Sequence, residues 1–344
     1  MNAMVQVSTH NEWGRLREVV VGIAEGAQVP RVKDESLHAV DYGGLSDEAY
    51  ARIETGSYPR RVIEETGEDL ERFAEQLQGL DIRVHRPRPA DLAAVRQVGK
   101  WRVDGYSLYC PRDTVLTVGS HAIEAPMAMR HRQDEARVLR PIVPTVAAPR
   151  PRLEDSLYDR SRLGVPTLRN DEPVFDAANC LKCGEDILFL IANTGNEAGA
   201  RWLEEFLGPA YRVHRVRDVY AFVHIDSTIV PLRPGLVLLN PQRVNEANLP
   251  EYLRRWDKIY APEPIALPCD PAWSPASKWI GLNLLSLSPE LVAVEEHQLE
   301  LMRVLARHRI DSLPVRLRHT RTMKGGPHCA TLDLVRDGQL EDYR

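Results

Sequence analysis

The chain repeats one short pattern of secondary structure along its length. An apolar run, a tight turn containing Pro or Gly, and a second apolar run precede a stretch with helical spacing and a third short apolar run. Such repeats of a ββαβ unit favour a ring-like or propeller-like assembly over a doubly wound sheet. The pattern predicts four hairpins: Tyr106–Cys110 with Thr114–Val118, Val174–Leu181 with Ile187–Ala192, His224–Leu232 with Leu236–Leu239, and Leu282–Leu287 with Leu291–Val294.

A fifth unit is predicted to join the two ends of the sequence. Glu18–Val21 has the pattern of a second strand, and Ala330–Val335 is expected to supply the first strand and close a ring. Helical spacing is predicted around Leu70–Leu80 and in three further stretches, each followed by a short strand. The further helices are Ala198–Leu207, Asn248–Trp256 and Gln298–Arg307, and the short strands are Ile82–His85, Tyr211–Val216, Lys258–Tyr260 and Leu313–Leu317.

Two stretches fit none of these units. Arg31–Pro59 is polar, contains Gly43-Gly44 and has no sustained period, so we interpret it as a structureless loop and a candidate lid. Arg130–Pro173 is rich in Pro and Arg and is expected to run over the surface.

Composition excludes several classes of protein. The 344 residues are 43% hydrophobic and 27% charged, which is typical of globular chains and too apolar for a disordered one. A net charge of −5 argues against nucleic acid as a partner. No apolar run approaches the roughly 20 residues of a membrane span, and no secretory signal is visible. Five cysteines are too few for a disulfide framework, so we expect reduced thiols in the cytoplasm.

The segment from Gly325 to Asp333 has the features of a nucleophile site. Gly325 and Gly326 allow a close backbone approach to a ligand, and Cys329 follows at the start of a predicted strand. Taken by itself, the segment fits a buried structural cysteine better. A catalytic thiol needs a nearby base to ionise, usually a histidine oriented by a carboxylate.

Among the eleven histidines, His224 is the best candidate for that base. It opens a predicted strand, and Asp226 two residues later would project from the same face. His328 adjoins Cys329 but would point away from it in an extended chain, so it is a poorer base. Asp113 in a turn and Asp176 in an apolar strand are carboxylates that need partners or belong to a site, and such acids suit a guanidinium substrate.

Cys180-Leu181-Lys182-Cys183 is a single CxxC pair. No second pair follows at zinc-ligand spacing, and the pair occupies a strand end instead of a helix start. We therefore interpret these cysteines as structural. No phosphate-binding glycine motif is present, so the sequence gives no support for a nucleotide cofactor.

Taken together, these segments resemble the L-arginine amidinotransferase family, including inosamine-phosphate and glycine amidinotransferases. The resemblance covers nearly the whole chain, and its landmarks occur in order. They are His10–Trp13, Arg17–Gly22, Pro111–Asp113, Glu124–Ala128, Phe175–Ala178, His224–Asp226, Asn240–Arg243, Ser277–Trp279 and Gly325–Cys329. The resemblance implies a single α/β domain over residues 1–344, folded as a five-bladed α/β propeller (the pentein fold) around a pseudo-fivefold axis.

The resemblance also implies a role for each site residue. Cys329 would be the nucleophile, His224 the general acid/base and Asp176 the carboxylate that orients His224. Asp113 and Asp226 would grip the guanidinium of arginine. The amino-acid end of arginine would be held by Arg243 and Ser277. The implied reaction is ping-pong, passes through an amidino-cysteine, releases L-ornithine and needs no metal or organic cofactor.

The acceptor amine is expected to be bulky. Ala221 stands where the glycine-specific relatives carry asparagine, and with Val223 it would leave a roomier pocket. We therefore expect an aminocyclitol phosphate such as scyllo-inosamine 4-phosphate, in antibiotic biosynthesis, with glycine, lysine or another primary amine as alternatives. Pro327 stands where relatives usually carry an aromatic residue, which puts the geometry of the Cys329 turn in question.

Two other functions remain open from the sequence. One is a guanidine hydrolase of the deiminase type on the same fold, in which water replaces the acceptor amine. The other is a non-catalytic scaffold or a thiol-redox protein that uses Cys180 and Cys183. Whether the chain forms a homodimer is left open.

Overall fold

The protein is built from five small mixed sheets. In the computed structural model, which describes residues 4–149, 157–159, 167–220, 222–269, 273 and 276–344, five sheets have three strands and three have two. In each three-stranded sheet the middle strand pairs antiparallel with one neighbour and parallel with the other. This is the pairing that a ββαβ unit produces, since the helix allows the third strand to return parallel to the second.

The three-stranded sheets are ordered β21-β1-β4, β7-β8-β9, β12-β13-β14, β15-β16-β17 and β18-β19-β20. The strands are β1 Leu16–Val21, β2 Gln28–Val29, β3 Gly56–Ser57, β4 Arg83–His85, β5 Arg96–Val98, β6 Trp101–Val103, β7 Val115–Val118, β8 His121–Glu124, β9 Val146–Ala147, β10 Tyr158–Asp159, β11 Thr167–Leu168, β12 Cys180–Cys183, β13 Asp186–Leu190, β14 Arg212–Val216, β15 Ile229–Arg233, β16 Leu236–Leu239, β17 Asp257–Tyr260, β18 Leu285–Ser288, β19 Leu291–Glu295, β20 Asp311–Val315 and β21 Thr331–Arg336.

Helices lie between the second and third strands of three of these sheets. The α-helices are α1 Glu35–Asp41, α2 Asp47–Ala51, α3 Arg60–Gln78, α4 Glu197–Leu207, α5 Leu299–Arg307 and α6 Thr320–Met323. Short 3-10 helices cover Pro111–Asp113, Arg130–Arg132, Glu135–Leu139, Ala177–Asn179, Glu251–Leu253 and Lys278–Leu282. In the described part of the chain, no helix combines the length and the apolar character that a membrane crossing needs.

The predicted pairing between a strand near the start of the chain and one near its end is confirmed. β21 pairs antiparallel with β1, and Val20 lies opposite Leu332. Three of the four predicted hairpins are also present, as β12 with β13, β15 with β16, and β18 with β19, although their first strands begin later than predicted.

The hairpin predicted over Tyr106–Val118 is wrong. Tyr106–Cys110 forms no strand, and β7 pairs instead with β8. Gly119 has a φ of +57° in the turn between them, a backbone conformation that glycine adopts at little cost. Pro111–Asp113, taken as the turn, is a 3-10 helix that leads into β7.

Three further predictions need correction. Asn248–Trp256 contains only a 3-10 turn, because Pro250 disfavours helical backbone in the residue before it. The Arg31–Pro59 segment is not structureless, since Asp34 and Ser46 cap the N-termini of α1 and α2. In the Arg130–Pro173 stretch, Arg130 is fully buried instead of lying on the surface.

A buried ionic cluster lies where strands from different sheets meet. The Asp333 carboxylate on β21 is 2.6 Å from Nη2 of Arg112, 2.9 Å from Nζ of Lys182 and 2.9 Å from Nε of Arg336. All four residues are buried. Burial alone would raise the pKa of the Asp333 carboxyl, but Arg112, Lys182 and Arg336 hold that pKa well below its usual range.

We expect the Asp333→Asn substitution to destabilise the fold strongly. The substitution removes the negative charge that three buried cations share. Breaking a buried ion pair in this way costs about 3 kcal/mol or more. Asp337→Asn is the matched control, because Asp337 pairs with Arg17 at an exposed position, where the loss is about 1 kcal/mol or less. Urea unfolding of both variants measures the free energies, and equal losses would contradict the expectation.

Candidate active site

Five of the residues predicted to form the site line one cavity. Its volume is about 290 Å³, and its wall includes Asp113, Asp176, His224, Asp226 and Cys329. These residues come from four of the five three-stranded units, at or just before the first strand of each hairpin. The structure therefore brings the predicted groups together, although several were assigned to the wrong local structure.

Cys329 lies in a turn between α6 and β21 that is held by Asn283. The Oδ1 atom of Asn283 accepts hydrogen bonds from the backbone N–H of Gly326, at 3.0 Å, and of Cys329, at 2.9 Å. A Cβ atom on Gly326 would lie 2.7 Å from the carbonyl oxygen of Asn283, so only glycine fits there. Sequence reasoning missed Asn283, since nothing around it marks a site.

Pro327 is compatible with this turn. The backbone donors that hold the turn belong to Gly326, His328 and Cys329, so the N–H that proline lacks is not needed. The carbonyl oxygen of Pro327 accepts a hydrogen bond of 2.9 Å from the Thr331 hydroxyl, which fixes the chain on entering β21.

Asp176 and His224 are in direct contact on the cavity wall. Nε2 of His224 lies 3.1 Å from Oδ2 of Asp176, and Asp176 Oδ1 accepts a 3.3 Å hydrogen bond from the backbone N–H of Ala128. Neither residue is inside a strand as predicted. Asp176 begins a 3-10 helix, and His224 has a φ of +33° in a turn before β15. Such backbone strain in a non-glycine residue is characteristic of functional sites.

Asp113 faces His224 from the opposite side. Its Oδ1 lies 3.6 Å from Nδ1 of His224, and its Oδ2 is 2.6 Å from Nη1 of Arg132. Arg132 also pairs with Glu135 at 2.8 Å and donates to the carbonyl oxygen of Cys110 at 3.1 Å, so each of its three nitrogens has a partner. Asp113 Oδ1 has no hydrogen-bond partner among the described residues, and this buried oxygen is available to a ligand.

Asp226 contacts the candidate nucleophile directly. Sγ of Cys329 donates to Oδ2 of Asp226 at 3.2 Å, and the same oxygen lies 2.7 Å from Nδ1 of His328. Burial would raise the pKa of Asp226, but His328, His224 and Cys329 together lower it far below its usual value. Asp226 is therefore a carboxylate at neutral pH.

The pKa values of the thiol and the imidazole are both raised. A hydrogen bond to the neighbouring Cys110 thiol, burial, and the negative charge of Asp226 raise the pKa of Cys329 well above its usual value. Burial would lower the pKa of His224, but Asp113, Asp176 and Cys329 raise it well above its ordinary value. With no cation bound, the site thus favours a neutral thiol beside a protonated imidazole.

The other end of the cavity carries a cation without a carboxylate partner among the described residues. The Arg243 guanidinium lies 3.7 Å over the ring of Tyr220 and donates to Oγ1 of Thr228 at 2.8 Å. Ser277 lines the same end and accepts a 3.3 Å hydrogen bond from the N–H of Trp279. Val223 also lines the cavity, whereas Ala221 lies outside the described residues.

One wall of the cavity comes from the segment predicted as a lid. Val40, Asp41, Gly43 and Gly44 line the cavity at and after the end of α1. Asp41 Oδ2 accepts a hydrogen bond of 2.5 Å from Nζ of Lys324, which is next to the Cys329 turn and was not identified from the sequence. This ion pair links the wall to that turn.

Two groups of side chains offer donor atoms for metal or redox chemistry. Ligand atoms of Asp113, His224 and Cys329 lie within 4.8 Å of one another, an arrangement that could hold a metal ion. Cys180 and Cys183 are buried free thiols on β12 that pack in two different apolar clusters. Burial raises the pKa of both, which agrees with the structural interpretation of the CxxC pair.

Comparisons with known proteins give close full-length matches. Inosamine-phosphate amidinotransferase 1 of Streptomyces glaucescens is 45% identical over 349 residues, covering 99% of this chain and all of that protein. The L-arginine:L-lysine amidinotransferase of Pseudomonas savastanoi is 32% identical, covering 98% and 96%. No profile of a protein family matches the chain.

Solved structures agree with these sequence matches. The inosamine-phosphate amidinotransferase of Streptomyces griseus superposes with a TM-score of 0.91 at 45% identity, covering 98% of this chain and 99% of that one. The dimethylarginine hydrolase DDAH of Pseudomonas aeruginosa has a TM-score of 0.57 at 14% identity, over 93% and 99% of the two chains. The second similarity concerns the α/β fold alone.

We expect Asp113→Asn to lower the pKa of His224. The substitution removes a negative charge that raises this pKa, and an opposite charge at this distance shifts a pKa by about one to two units. Titration of the labelled histidines by NMR measures the shift. Asp186→Asn, which alters a carboxylate next to His214 outside the cavity, should leave His224 unchanged. An unaltered His224 pKa in Asp113→Asn would contradict the interpretation.

Proposed function

This chain belongs to the amidinotransferase family, and we propose that it transfers the amidino group of L-arginine to an amine through a covalent bond to Cys329. The observation that carries the assignment of residues is the meeting of a thiol, an imidazole and three carboxylates in one cavity. A cationic, planar guanidinium fits that charge distribution, because it presents several N–H donors to carboxylates.

Arginine would lie along the length of the cavity. The unpartnered Oδ1 of Asp113 and the carboxylate of Asp226 would hold the guanidinium beside Sγ of Cys329. Arg243, which has hydroxyl and ring contacts but no ion pair among the described residues, would bind the carboxylate of arginine with help from Ser277. Fixing both ends orients the reacting carbon toward the sulfur.

The first half-reaction forms an S–C bond and breaks a C–N bond. The Cys329 thiol loses its proton to solvent as the guanidinium binds, and the thiolate attacks the guanidinium carbon. The C–N bond to the δ-nitrogen then breaks, and the protonated His224 gives its proton to that nitrogen as ornithine leaves. Asp176 keeps the imidazole in position, and Asp113 and Asp226 stabilise the positive charge of the amidino group.

The second half-reaction reverses these roles. An acceptor amine enters after ornithine leaves, gives a proton to His224 and attacks the amidino carbon. The C–S bond breaks, His224 keeps the proton from the amine, and the Cys329 thiolate regains a proton from solvent as the product leaves. No electron acceptor or donor is consumed in either half.

Binding of the substrate would also activate the nucleophile. In the unliganded site, the negative charges of Asp226 and Asp113 raise the pKa of Cys329. A guanidinium between these carboxylates offsets both charges, so the pKa of the thiol falls when arginine binds. The thiolate is then formed only where there is a substrate to attack.

The acceptor we propose is an aminocyclitol phosphate. The chain is 45% identical to an inosamine-phosphate amidinotransferase and 32% identical to an L-arginine:L-lysine amidinotransferase. The wall also leaves space, because a Cβ on Gly44 would meet nothing within 4 Å. Glycine, lysine and other primary amines are the alternatives for the acceptor, and Ala221 and Val223 are proposed to border its pocket.

Several wider features belong to the same proposal. Five sheets of one topology, with β1 and β21 closing the series, support a five-bladed propeller formed by one domain over residues 1–344. The segment 31–59 would cover the cavity as a lid, and a cytoplasmic location is expected.

We predict that L-arginine alone adds one CH₂N₂ unit to Cys329 and releases ornithine. Mass spectrometry of the intact protein and of its peptides detects the adduct. Cys329→Ala should lose both products, whereas Cys269→Ala, which changes a cysteine outside the cavity lining, should keep them. Absence of adduct and of ornithine with every amine tested would refute amidino transfer, and citrulline formed without an acceptor would indicate a hydrolase.

We also predict that a bound cation lowers the pKa of the nucleophile. The thiolate absorbance of the protein minus that of Cys329→Ser, followed against pH, reports the ionisation of Cys329. Without ligand this ionisation should occur well above neutral pH, and saturating L-ornithine should move it to lower pH, because its ammonium group offsets Asp113 and Asp226. A shift in the opposite direction, or none, would contradict substrate-assisted ionisation.

A further inference from the structure

One buried histidine beside the nucleophile has no role in the reaction described above. His328 lies between two carboxylates, with Nδ1 at 2.7 Å from Oδ2 of Asp226 and Nε2 at 3.5 Å from Oε2 of Glu12. All three side chains are buried. A hydrogen bond donated from Nδ1 to Oδ2 of Asp226 places this imidazole to stabilise the charged form of that carboxylate.

Glu12 is itself held firmly as an anion. Its Oε1 accepts a 3.0 Å hydrogen bond from the backbone N–H of Lys182, and Nζ of Lys182 and Nη1 of Arg112 lie 3.6 Å and 3.8 Å away. Burial would raise the pKa of Glu12, but Lys182, His328 and Arg112 lower it to about 2. Glu12 is therefore a permanent negative charge behind His328.

The burial of Asp226 opposes the negative charge that it needs in order to bind a guanidinium. Asp226 is almost fully buried and already accepts from the Cys329 thiol, and it must remain ionised to bind a guanidinium. A buried carboxylate without a cation takes up a proton. The charged or titratable groups that face Asp226 are His328, His224, Cys329, Cys110 and Arg112, and Nδ1 of His328 lies 2.7 Å from its Oδ2 atom.

We propose that His328, held in place by Glu12, is a positioning residue that keeps Asp226 ionised and directed at the guanidinium of the donor. Glu12 also lies near Lys182 and Arg112 of the ionic cluster, so the Glu12–His328–Asp226 series connects that cluster to the cavity wall. The proposal rests on the proposed function, since it assigns a requirement to the donor-binding half of the same site.

The consequence concerns binding more than turnover. Without the hydrogen bond from His328, Asp226 gains a proton at a higher pH, and the donor loses one of its two carboxylates. Removing a hydrogen bond to a charged group weakens binding by roughly 10- to 100-fold. The KM for L-arginine should therefore rise, while kcat at saturating arginine changes much less.

Two substitutions of His328 separate this role from simple packing. His328→Leu keeps the bulk and removes both hydrogen bonds. His328→Asn places an amide N–H where Nδ1 was, so it restores a hydrogen-bond donor to Asp226. We expect His328→Leu to raise the KM for arginine at least about tenfold and His328→Asn to recover most of that loss.

The pH profile gives a readout that a packing role would not move. Asp226 must be ionised to bind, so kcat/KM for arginine falls as pH drops through the pKa of Asp226. His328→Leu raises this pKa, so the acid limb of the profile should move to higher pH. Glu12→Gln should move it in the same direction by less, and His214→Leu, beside Asp186 outside the cavity, should not move it.

A measurement of L-arginine binding to a variant that cannot react with it completes the test. Calorimetric titration of L-arginine into Cys329→Ser, with and without His328→Leu, measures the donor affinity as a function of pH. An unchanged affinity and acid limb in the His328→Leu protein would overturn the proposal. If His328→Leu does not fold, Glu12→Gln decides by the same two measurements. Failure of the otherwise unaltered protein to form the Cys329 adduct would overturn the proposed function instead.

Discussion

The pairing of buried carboxylates with cations governs the structure from the ionic cluster to the cavity. Asp333 is neutralised by three basic side chains, Asp176 faces His224, and Asp226 faces His328. Asp113 pairs with Arg132 through Oδ2, and its Oδ1 atom has no hydrogen-bond partner among the described residues. The fold thus tolerates several acids away from water because each has a cation. The site differs in leaving room for one more positive charge, which the guanidinium of a substrate can supply.

The sequence predicted the repeated units and the composition of the site better than it predicted local structure. Cys329, His224, Asp176, Asp113 and Asp226 line one cavity as the resemblance implied. Their backbone conformations were predicted wrongly, because apolar runs continue past the ends of the strands into tight turns. Alternation along a run cannot show where hydrogen bonding to a neighbouring strand stops.

Contacts between distant parts of the chain were beyond sequence reasoning. Asn283 and Lys324 touch the Cys329 turn and the cavity wall through single side-chain contacts, and neither belongs to a periodic pattern. The Arg31–Pro59 segment was misread for a similar reason. Leu37 in α1 is fully buried because it packs against parts of the chain remote in sequence, which no local hydrophobic pattern records.

The pairing of β1 with β21 has a consequence for how the protein is made. β1 leaves the ribosome early, yet its antiparallel neighbour is among the last segments of the series to be synthesised. Closing so long a loop is slow, and until then one strand edge stays open to other chains. Cys329 lies directly before β21, so the position of its thiol depends on the pairing of β21 with β1. The same pairing that covers the open strand edge therefore also fixes the turn that carries Cys329.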